Sequence, residues 1–383
     1  MWSPDCRALS VRATSCIVPT REIGLGVRGA PVTVREIRGV SSAVVGRSSA
    51  PGVKDVAALA GVSPSTVSNY LNRPDVVRPD TKARIDRAVR QLGFVRNESA
   101  RQLRAGSSRT FALVLLDAWI PFYGELSRGV EDVAAAAGWT VLFSNSARDS
   151  DRELRNLEVF EGYRVQGILI VPQQDLRGRL RELQRRGIRC VTLEQSTPAD
   201  DISSVTIDDN AGGRAAARHL INIGRQNLML VGNPQRVSHV RDRFAGFSEE
   251  IQAIPQLSCR LTETEGLTLS DGADAARRIL DTAPTDRPDA LFAANDLIAL
   301  GALHELLAAG VDVPGQMAVL GYDGLELAAH ARVPLSTVAQ PAYAMGVAAA
   351  EILIAGMEGR ERPGDSHRVL VPEVVVRRST TLT

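Results

Sequence analysis

From Thr110 onward the chain alternates short apolar runs with longer helical stretches, and that alternation constrains the fold more than any other feature. Phe111 to Leu116, Thr140 to Phe143, Gly167 to Val171, Cys190 to Leu193, Leu228 to Val231, Ala290 to Ala293 and Met317 to Leu320 read as strands bounded by turn residues. The helical stretches between them stop at Gly138, Gly187, Gly224 and Gly310, where a left-handed C-terminal residue costs least. Strand, helix, strand in repetition means parallel sheets with helices on both faces. Roughly 270 residues of it suggest two such lobes.

The stretch before it obeys a different grammar. Three short helical patterns lie between 53 and 92: Asp55 to Ala60 ending at Gly61, a second opening with Ser63 as N-cap and Pro64 at the first helical position, and a third from Asp80 or Thr81 to Gly93. Gly61-Val62 makes the tight junction that a helix-turn-helix requires. With Val67 and Leu71 turned inward, Pro64, Ser65, Ser68 and Asn69 face outward, and the amide of Asn69 can make two hydrogen bonds to adenine. The competing reading is a solvated polar face.

Charge separates the two parts. Residues 51–109 hold eleven bases against five acids and residues 1–50 seven Arg against three acids. A net charge of +1 for the whole chain therefore leaves −9 beyond 109, so a basic module is attached to an acidic one. Residues 1–50 carry Pro4, Pro19 and Pro31 and no sustained period, and are expected to be a disordered extension or the product of an upstream start. Gly24-Leu25-Gly26-Val27-Arg28-Gly29 matches a dinucleotide-binding spacing formally, but Pro31 follows and no strand-to-helix context surrounds it.

The run from Val53 to Asn72, VKDVAALAGVSPSTVSNYLN, closely resembles the opening of LacI/GalR-family transcriptional regulators, and Gly93 to Leu103 resembles that family's hinge helix. The resemblance implies a multidomain protein: an all-α helix-turn-helix headpiece over 51–95, a hinge over 96–109, and a two-lobed α/β sensor of type I periplasmic-binding-protein kind over 110–383. Its first lobe would hold about 110–207 plus 340–358 and its second about 208–339 plus 359–383. It implies Pro64, Ser65, Thr66, Ser68, Asn69 and Asn72 at the major groove. In the hinge it implies Asn97, Ala100, Arg101 and Leu103 at the minor groove, with Leu103 wedged between base pairs. Two departures stand out: Arg96 replaces a common Pro, and Asn69 replaces a common Arg, so no operator sequence can be borrowed from relatives.

In doubly wound sheets ligands lie beyond the carboxyl ends of strands, where Asp117, Asn295, Asp296 and Asp323 fall, with Arg243 following another strand. The residues alone leave alternatives: Asn295 and Asp323 as helix caps, Arg243 as an ion-pair partner. The resemblance implies an effector site of Asp117, Phe122, Arg243, Asn295, Asp323 and Gln340, with Phe122 covering an apolar sugar face and a carbohydrate as the effector class. It also implies a homodimer on double-stranded palindromic operator DNA, and the C-terminal residues show no leucine heptads that would tie dimers into tetramers. No membrane partner is expected, because no apolar run reaches the length of a spanning helix, and the cytoplasm is the expected location. No cofactor or enzymatic activity is expected either. The five histidines lack ligand spacing, the four cysteines are scattered, and neither a nucleophile-elbow nor a P-loop motif occurs.

Overall fold

In the computed structural model, which describes residues 51–94, 109–195, 202–252, 254–360 and 366–381, the chain separates into two units, Met1–Arg96 and Asn97–Thr383. The first is built from α1 (Val53–Ala60), α2 (Pro64–Asn72) and α3 (Pro79–Leu92). The first helix begins two residues earlier than the pattern predicts because the Gly52 amide donates to the Asp55 carboxylate at 2.7 Å. It ends at Gly61, whose φ of 62° is the left-handed conformation that only glycine adopts without strain. Ser63 caps α2 by accepting from the Thr66 amide at 3.1 Å, and Pro64 takes the first helical position. Pro79 plays the same part in α3 and moves its start ahead of Asp80. Val56, Ala57, Ala60, Val67, Ile85 and Ala88 form the core.

The second unit holds two six-stranded sheets. In the first lobe the elements run β1 (Thr110–Leu115), α4 (Pro121–Ala136), β2 (Thr140–Asn145), α5 (Ser150–Gly162), β3 (Gly167–Ile170), α6 (Arg177–Arg185), β4 (Arg189–Leu193) and β5 (Ser203–Ile207). The chain then crosses to the second lobe for α7 (Asp209–Asn222), β6 (Asn227–Gly232), α8 (Ser238–Gln252), β7 (Ser258–Glu263), α9 (Leu269–Leu280), β8 (Ala290–Ala293), α10 (Asp296–Ala308), β9 (Ala318–Asp323), α11 (Glu326–Ala329) and β10 (Ser336–Ala339). It returns for α12 (Ala342–Met357) and β11 (His367–Leu370), and crosses a third time for β12 (Glu373–Val375).

The sheet orders are β11-β5-β4-β3-β1-β2 and β12-β10-β9-β8-β6-β7, all parallel except the β10–β12 pair. Strand order therefore reverses between β1 and β3 in one lobe and between β6 and β8 in the other. Loops on either side of each reversal splay apart and leave a crevice. One expected boundary is corrected here: His367–Leu370 pairs with β5 in the first lobe, so the last crossing lies at Val371-Pro372 rather than near 359. The Asp208 amide donates to the Leu370 carbonyl at 2.8 Å and ties that crossing to the first.

Glycines set the helix spacing. A Cβ at Gly213 would stand 1.9 Å from the Arg243 carbonyl and one at Gly246 2.1 Å from that of Asn210, so α7 and α8 meet backbone to backbone. Gly129 with Gly346 does the same for α4 and α12. Phe111, Leu126, Val130 and Met345 are buried on one face of the first sheet, and Leu157, Phe160, Leu180 and Leu183 on the other. In the second lobe Phe247 stacks on Phe292, centroids 5.0 Å apart.

Candidate functional site

In the helical unit, one buried residue, Val67, anchors α2 and leaves Pro64, Ser65, Asn69 and Asn72 exposed. The helix is held proud of the body by Arg84. Its guanidinium donates to the Ala60 carbonyl at 2.6 Å and to that of Gly61 at 2.6 Å, closing the turn from behind. Tyr70 donates to Asp86 and fixes α2 on α3. Not every expected base reader is equally presented. Asn72 turns its amide back onto the Ser68 carbonyl at 2.8 Å, and the Thr66 hydroxyl lies 2.8 Å from that of Ser63, whereas the Asn69 side chain stands exposed in the middle of the outer face. Asn97, Ala100, Arg101 and Leu103 lie outside the described residues.

The crevice between the two lobes of the sensor unit is a cavity of about 760 Å³. Asp117, Trp119, Ile120, Arg148 and Glu194 line it from the first lobe, and Asn233, His239, Glu265 and Leu267 from the second. Its position follows from the topology: the lining loops leave β1, β2, β3 and β4 on one side and β6 and β7 on the other.

Of the six expected effector residues only Asp117 lines this cavity; Arg243, Asp323 and Gln340 belong instead to a buried cluster close to the lining residues Glu194 and His239. The Arg243 side chain is 4% exposed, and its Nε donates to the Asp209 carboxylate at 2.7 Å. One Nη donates to the Ala294 carbonyl at 2.6 Å, and the guanidinium lies 3.7 Å from the centroid of the Tyr322 ring. The Tyr322 hydroxyl donates to the same Asp209 oxygen at 3.0 Å, an approach made possible because Gly212 has no side chain to obstruct it. Asp323 accepts from the Gln340 amide at 2.7 Å and lies 3.9 Å from Arg243. Its φ of 117° is a strained value for a residue with a Cβ, a cost of about 1–3 kcal/mol that its surroundings must offset. Asp296 supplies part of that by accepting from the Gly324 and Leu325 amides at 3.0 and 2.8 Å, which fixes the turn after β9.

Burial sets the protonation of these acids. It pushes Asp323 up to about 6 despite Arg243, and Asp296, desolvated and beside Asp323, up to about 8. Glu194, held at φ 62° and accepting from the Tyr123 hydroxyl at 3.2 Å, is raised to about 7 by desolvation and by Asp209. Burial, together with Arg243 and Arg148, holds His239 well below the usual imidazole range, so it is neutral at pH 7. The cavity thus offers donors and acceptors suited to hydroxyl groups.

Two expected residues play other parts. Phe122 is 4% exposed and packs with Leu126 and Val130 on the inward face of α4, edge-on to Tyr123 at 5.3 Å. Pro121 opens that helix and the i, i+4, i+8 spacing points Phe122 into the core; the aromatic standing in the crevice is Trp119, 89% exposed. Asn295 caps α10, accepting from the Ile298 amide at 2.9 Å and donating to the Leu267 carbonyl at 3.1 Å. Asp117 does line the cavity, paired with Arg148 at 3.5 Å. Asp209 and Glu194 lie outside the residues expected from the sequence. Glu194 directly follows a strand that the sequence does reveal, and by the carboxyl-end rule could have been found.

Comparison with known proteins places both units. The pattern for bacterial regulatory proteins of the lacI family matches residues 52–97, and that for the periplasmic binding protein-like domain matches residues 217–380. The ribose operon repressor of Bacillus subtilis (strain 168) is 32% identical over 329 residues, covering 86% of this chain and 98% of its own. A solved complex of the transcriptional regulator CelR with cellobiose is 31% identical, with a TM-score of 0.62 over 86% of this chain and 99% of that one. The Lac repressor dimer bound to operator and the anti-inducer ONPF shares the fold, with a TM-score of 0.76, 23% identity, and coverage of 87% and 99%.

Proposed function

The chain belongs to the lacI family of bacterial regulatory proteins, and we propose that it is a homodimeric repressor whose grip on a palindromic operator is governed by a carbohydrate held between the lobes. As a family member it is a DNA-binding transcriptional regulator whose operator affinity is controlled by a small-molecule effector. The observation that carries the rest is the buried cluster beside the crevice: Asp209 begins the first segment after one crossing between the lobes, and Gln340, bonded to Asp323, sits at the next. A ligand against Glu194, whose carboxyl feels Asp209, Arg243 and Asp323, therefore acts on the segments about which the lobes would pivot.

In this reading Asn69 and Ser65 read base edges, and the hinge residues Ala100, Arg101 and Leu103 enter the minor groove, Leu103 unstacking a base step at a cost of a few kcal/mol. Effector binding changes the angle between the first lobes across the dimer and so the pairing of the two hinges. A coupling of about 1–3 kcal/mol is enough to switch occupancy. Supporting the carbohydrate class are the neutral His239, the carboxylates and the amides of the crevice, and the cellobiose that the CelR relative carries.

The test is fluorescence anisotropy of the full-length protein on DNA recovered by genomic footprinting, titrated with salt and with neutral sugars. Salt-sensitive, site-selective binding that shifts with one sugar is the expected result. Equal affinity for unrelated duplexes, or selective binding that no sugar changes, would refute it.

A further inference from the structure

The main cavity adjoins a second, outer space of about 460 Å³, bounded by Gln173, Gln174 and Arg177 of the first lobe and by Gln235, Arg236 and Arg241 of the second. Its wall is fixed from behind on both sides. In the first lobe Glu153, fully buried, accepts from the Gln173 backbone amide at 2.8 Å, and Gln195 donates to the Pro172 carbonyl at 2.9 Å. In the second the Arg236 backbone amide donates to the Asn233 side chain at 3.1 Å, and buried Asn233 donates in turn to the Thr264 carbonyl at 2.7 Å. The backbone that carries the lining is therefore set without a ligand.

Charge separates the two spaces. The main cavity sets Arg148 and Arg236 against Asp117, Glu194 and Glu265, whereas the outer space sets Arg177, Arg236 and Arg241 against Asp175 alone among the described residues. Arg177 is engaged by Asp175 through two bonds, at 2.8 and 2.5 Å, and that pair stays closed. The other two cations are held loosely. Arg236 lies 3.4 Å from Glu265, a carboxylate 89% exposed, and Arg241 lies 3.3 Å from Asp242, the next residue in the chain and 53% exposed; neither acid lines the outer space. Pairs so open to water contribute little. An oxyanion offers a guanidinium two parallel charge-assisted bonds, which one distant carboxylate oxygen does not, so it displaces such partners. Gln173, Gln235 and Ser238 add neutral donors from both lobes.

We infer that the outer space is a second binding site, for a phosphate group clasped by Arg236 and Arg241 of the second lobe and met by Gln173 of the first. Because both lobes contribute to it, its occupant holds them together, and by linkage it changes the affinity of whatever fills the main cavity. The inference does not rest on the carbohydrate reading of that cavity. The phosphate comes either on a small molecule confined to the outer space or on a phosphorylated compound whose remainder reaches into the main one.

The experiment is isothermal titration of the DNA-free full-length protein, in chloride buffer of constant ionic strength, with orthophosphate, glycerol 3-phosphate, glucose 6-phosphate and glucose. At least one of the three phosphates is expected to bind, and to lose about tenfold or more of its affinity when Arg236→Gln and Arg241→Gln are combined. Both side chains are exposed, so the sensor's melting transition should stay that of the parent. Replacing both by Lys, which keeps the charge and removes the fork, should recover only part of the affinity. The basic helical unit also attracts phosphate, and the control for it is Arg73→Gln with Arg78→Gln, two exposed residues there, expected to change nothing. Orthophosphate or glycerol 3-phosphate bound as tightly as glucose 6-phosphate assigns a ligand confined to the outer space; glucose 6-phosphate bound tighter than both assigns one that extends into the main cavity. No phosphate binding at millimolar concentration, an affinity unchanged in the Arg236/Arg241 variant, or a loss equalled by the Arg73/Arg78 control would each overturn the inference. A sugar that shifts operator affinity in a protein that binds no phosphate leaves the proposed function standing and this site refuted; phosphate binding without any sugar response does the reverse.

Discussion

Replacing Arg243 by Met is the most informative single perturbation, because it removes a charge while nearly conserving volume. Asp209, 12% exposed, keeps one donor, the Tyr322 hydroxyl at 3.0 Å, and the Ala294 carbonyl loses the guanidinium. Stripping the partner from a buried ion pair costs roughly 3–5 kcal/mol, a large share of the roughly 5–15 kcal/mol that holds a domain together. At about 2–4 °C per kcal/mol for a unit of this size, the sensor transition should fall by roughly 6–20 °C. The loss should depend on pH. Carboxyls left without the cation take up protons more readily in the folded state than in the unfolded chain. Acids whose folded pKa is raised stabilise most below their unfolded pKa and lose that stability as pH rises through the folded value. Asp323 already stands at about 6 with Arg243 present, so the variant should be hurt more at pH 8 than at pH 5. Differential scanning calorimetry at both values measures this, and adding Asp209→Asn to Arg243→Met should recover much of the loss. A drop of less than about 1 kcal/mol at pH 8, or a double variant no more stable than the single one, would refute the buried-pair argument.

Glu194→Gln keeps the acceptor for Tyr123 and removes a carboxyl raised to about 7; the melting temperature should rise at pH 8, stay near the parent's at pH 5, and a lower value at pH 8 would contradict the assignment. Gly61→Ala forces a φ of 62° on a residue with a Cβ, 3.1 Å from Arg84. That costs about 1–2 kcal/mol, which should appear as faster hydrogen exchange in α1 and α2 with the sensor transition unmoved. Leu103→Ala should weaken specific operator binding by about 1–3 kcal/mol, roughly fivefold to 150-fold, with nonspecific binding and the fold retained; equal affinity would count against the hinge. Asn69→Ala should lose selectivity at one base pair, read by binding to single-base operator variants, while its salt slope stays that of the parent.

The fold was legible where burial on both faces wrote itself as an unbroken apolar run. Phe111 to Leu115 and Ala290 to Ala293 are buried at every residue, and the four glycines expected to end helices all have φ between 71° and 89°. Strands the sequence reading passed over carry a different signature. Ser258–Glu263 lies at a sheet edge with most residues exposed, and Ser203–Ile207 mixes Ser and Thr into the run. Both break the apolar pattern without breaking the pairing, since ladder hydrogen bonds are made by backbone. Missing β5 hid the site as well as the sheet: without a strand ending at Ile207, Asp209 has no carboxyl end to follow, and the acid that holds Arg243 goes unmarked.

What a one-dimensional pattern cannot carry is which side of a helix faces a cavity when both sides are apolar. Phe122 and Trp119 are three residues apart, and either suits a sugar-covering role; Pro121 decides between them by starting a helix whose inward stripe takes Phe122 and leaves Trp119 in the preceding loop. The same holds for Arg243. Its motif marks it as a charged residue of interest, but its placement depends on Gly213 and Gly246 letting α7 and α8 approach until Nε reaches Asp209 at 2.7 Å. An Arg so placed is the ion-pair partner that the residues alone allow, held beside the crevice and not among the residues that line it. Among acids raised by burial, its bonds to Asp209 and to the Ala294 carbonyl are what keep the guanidinium's position defined.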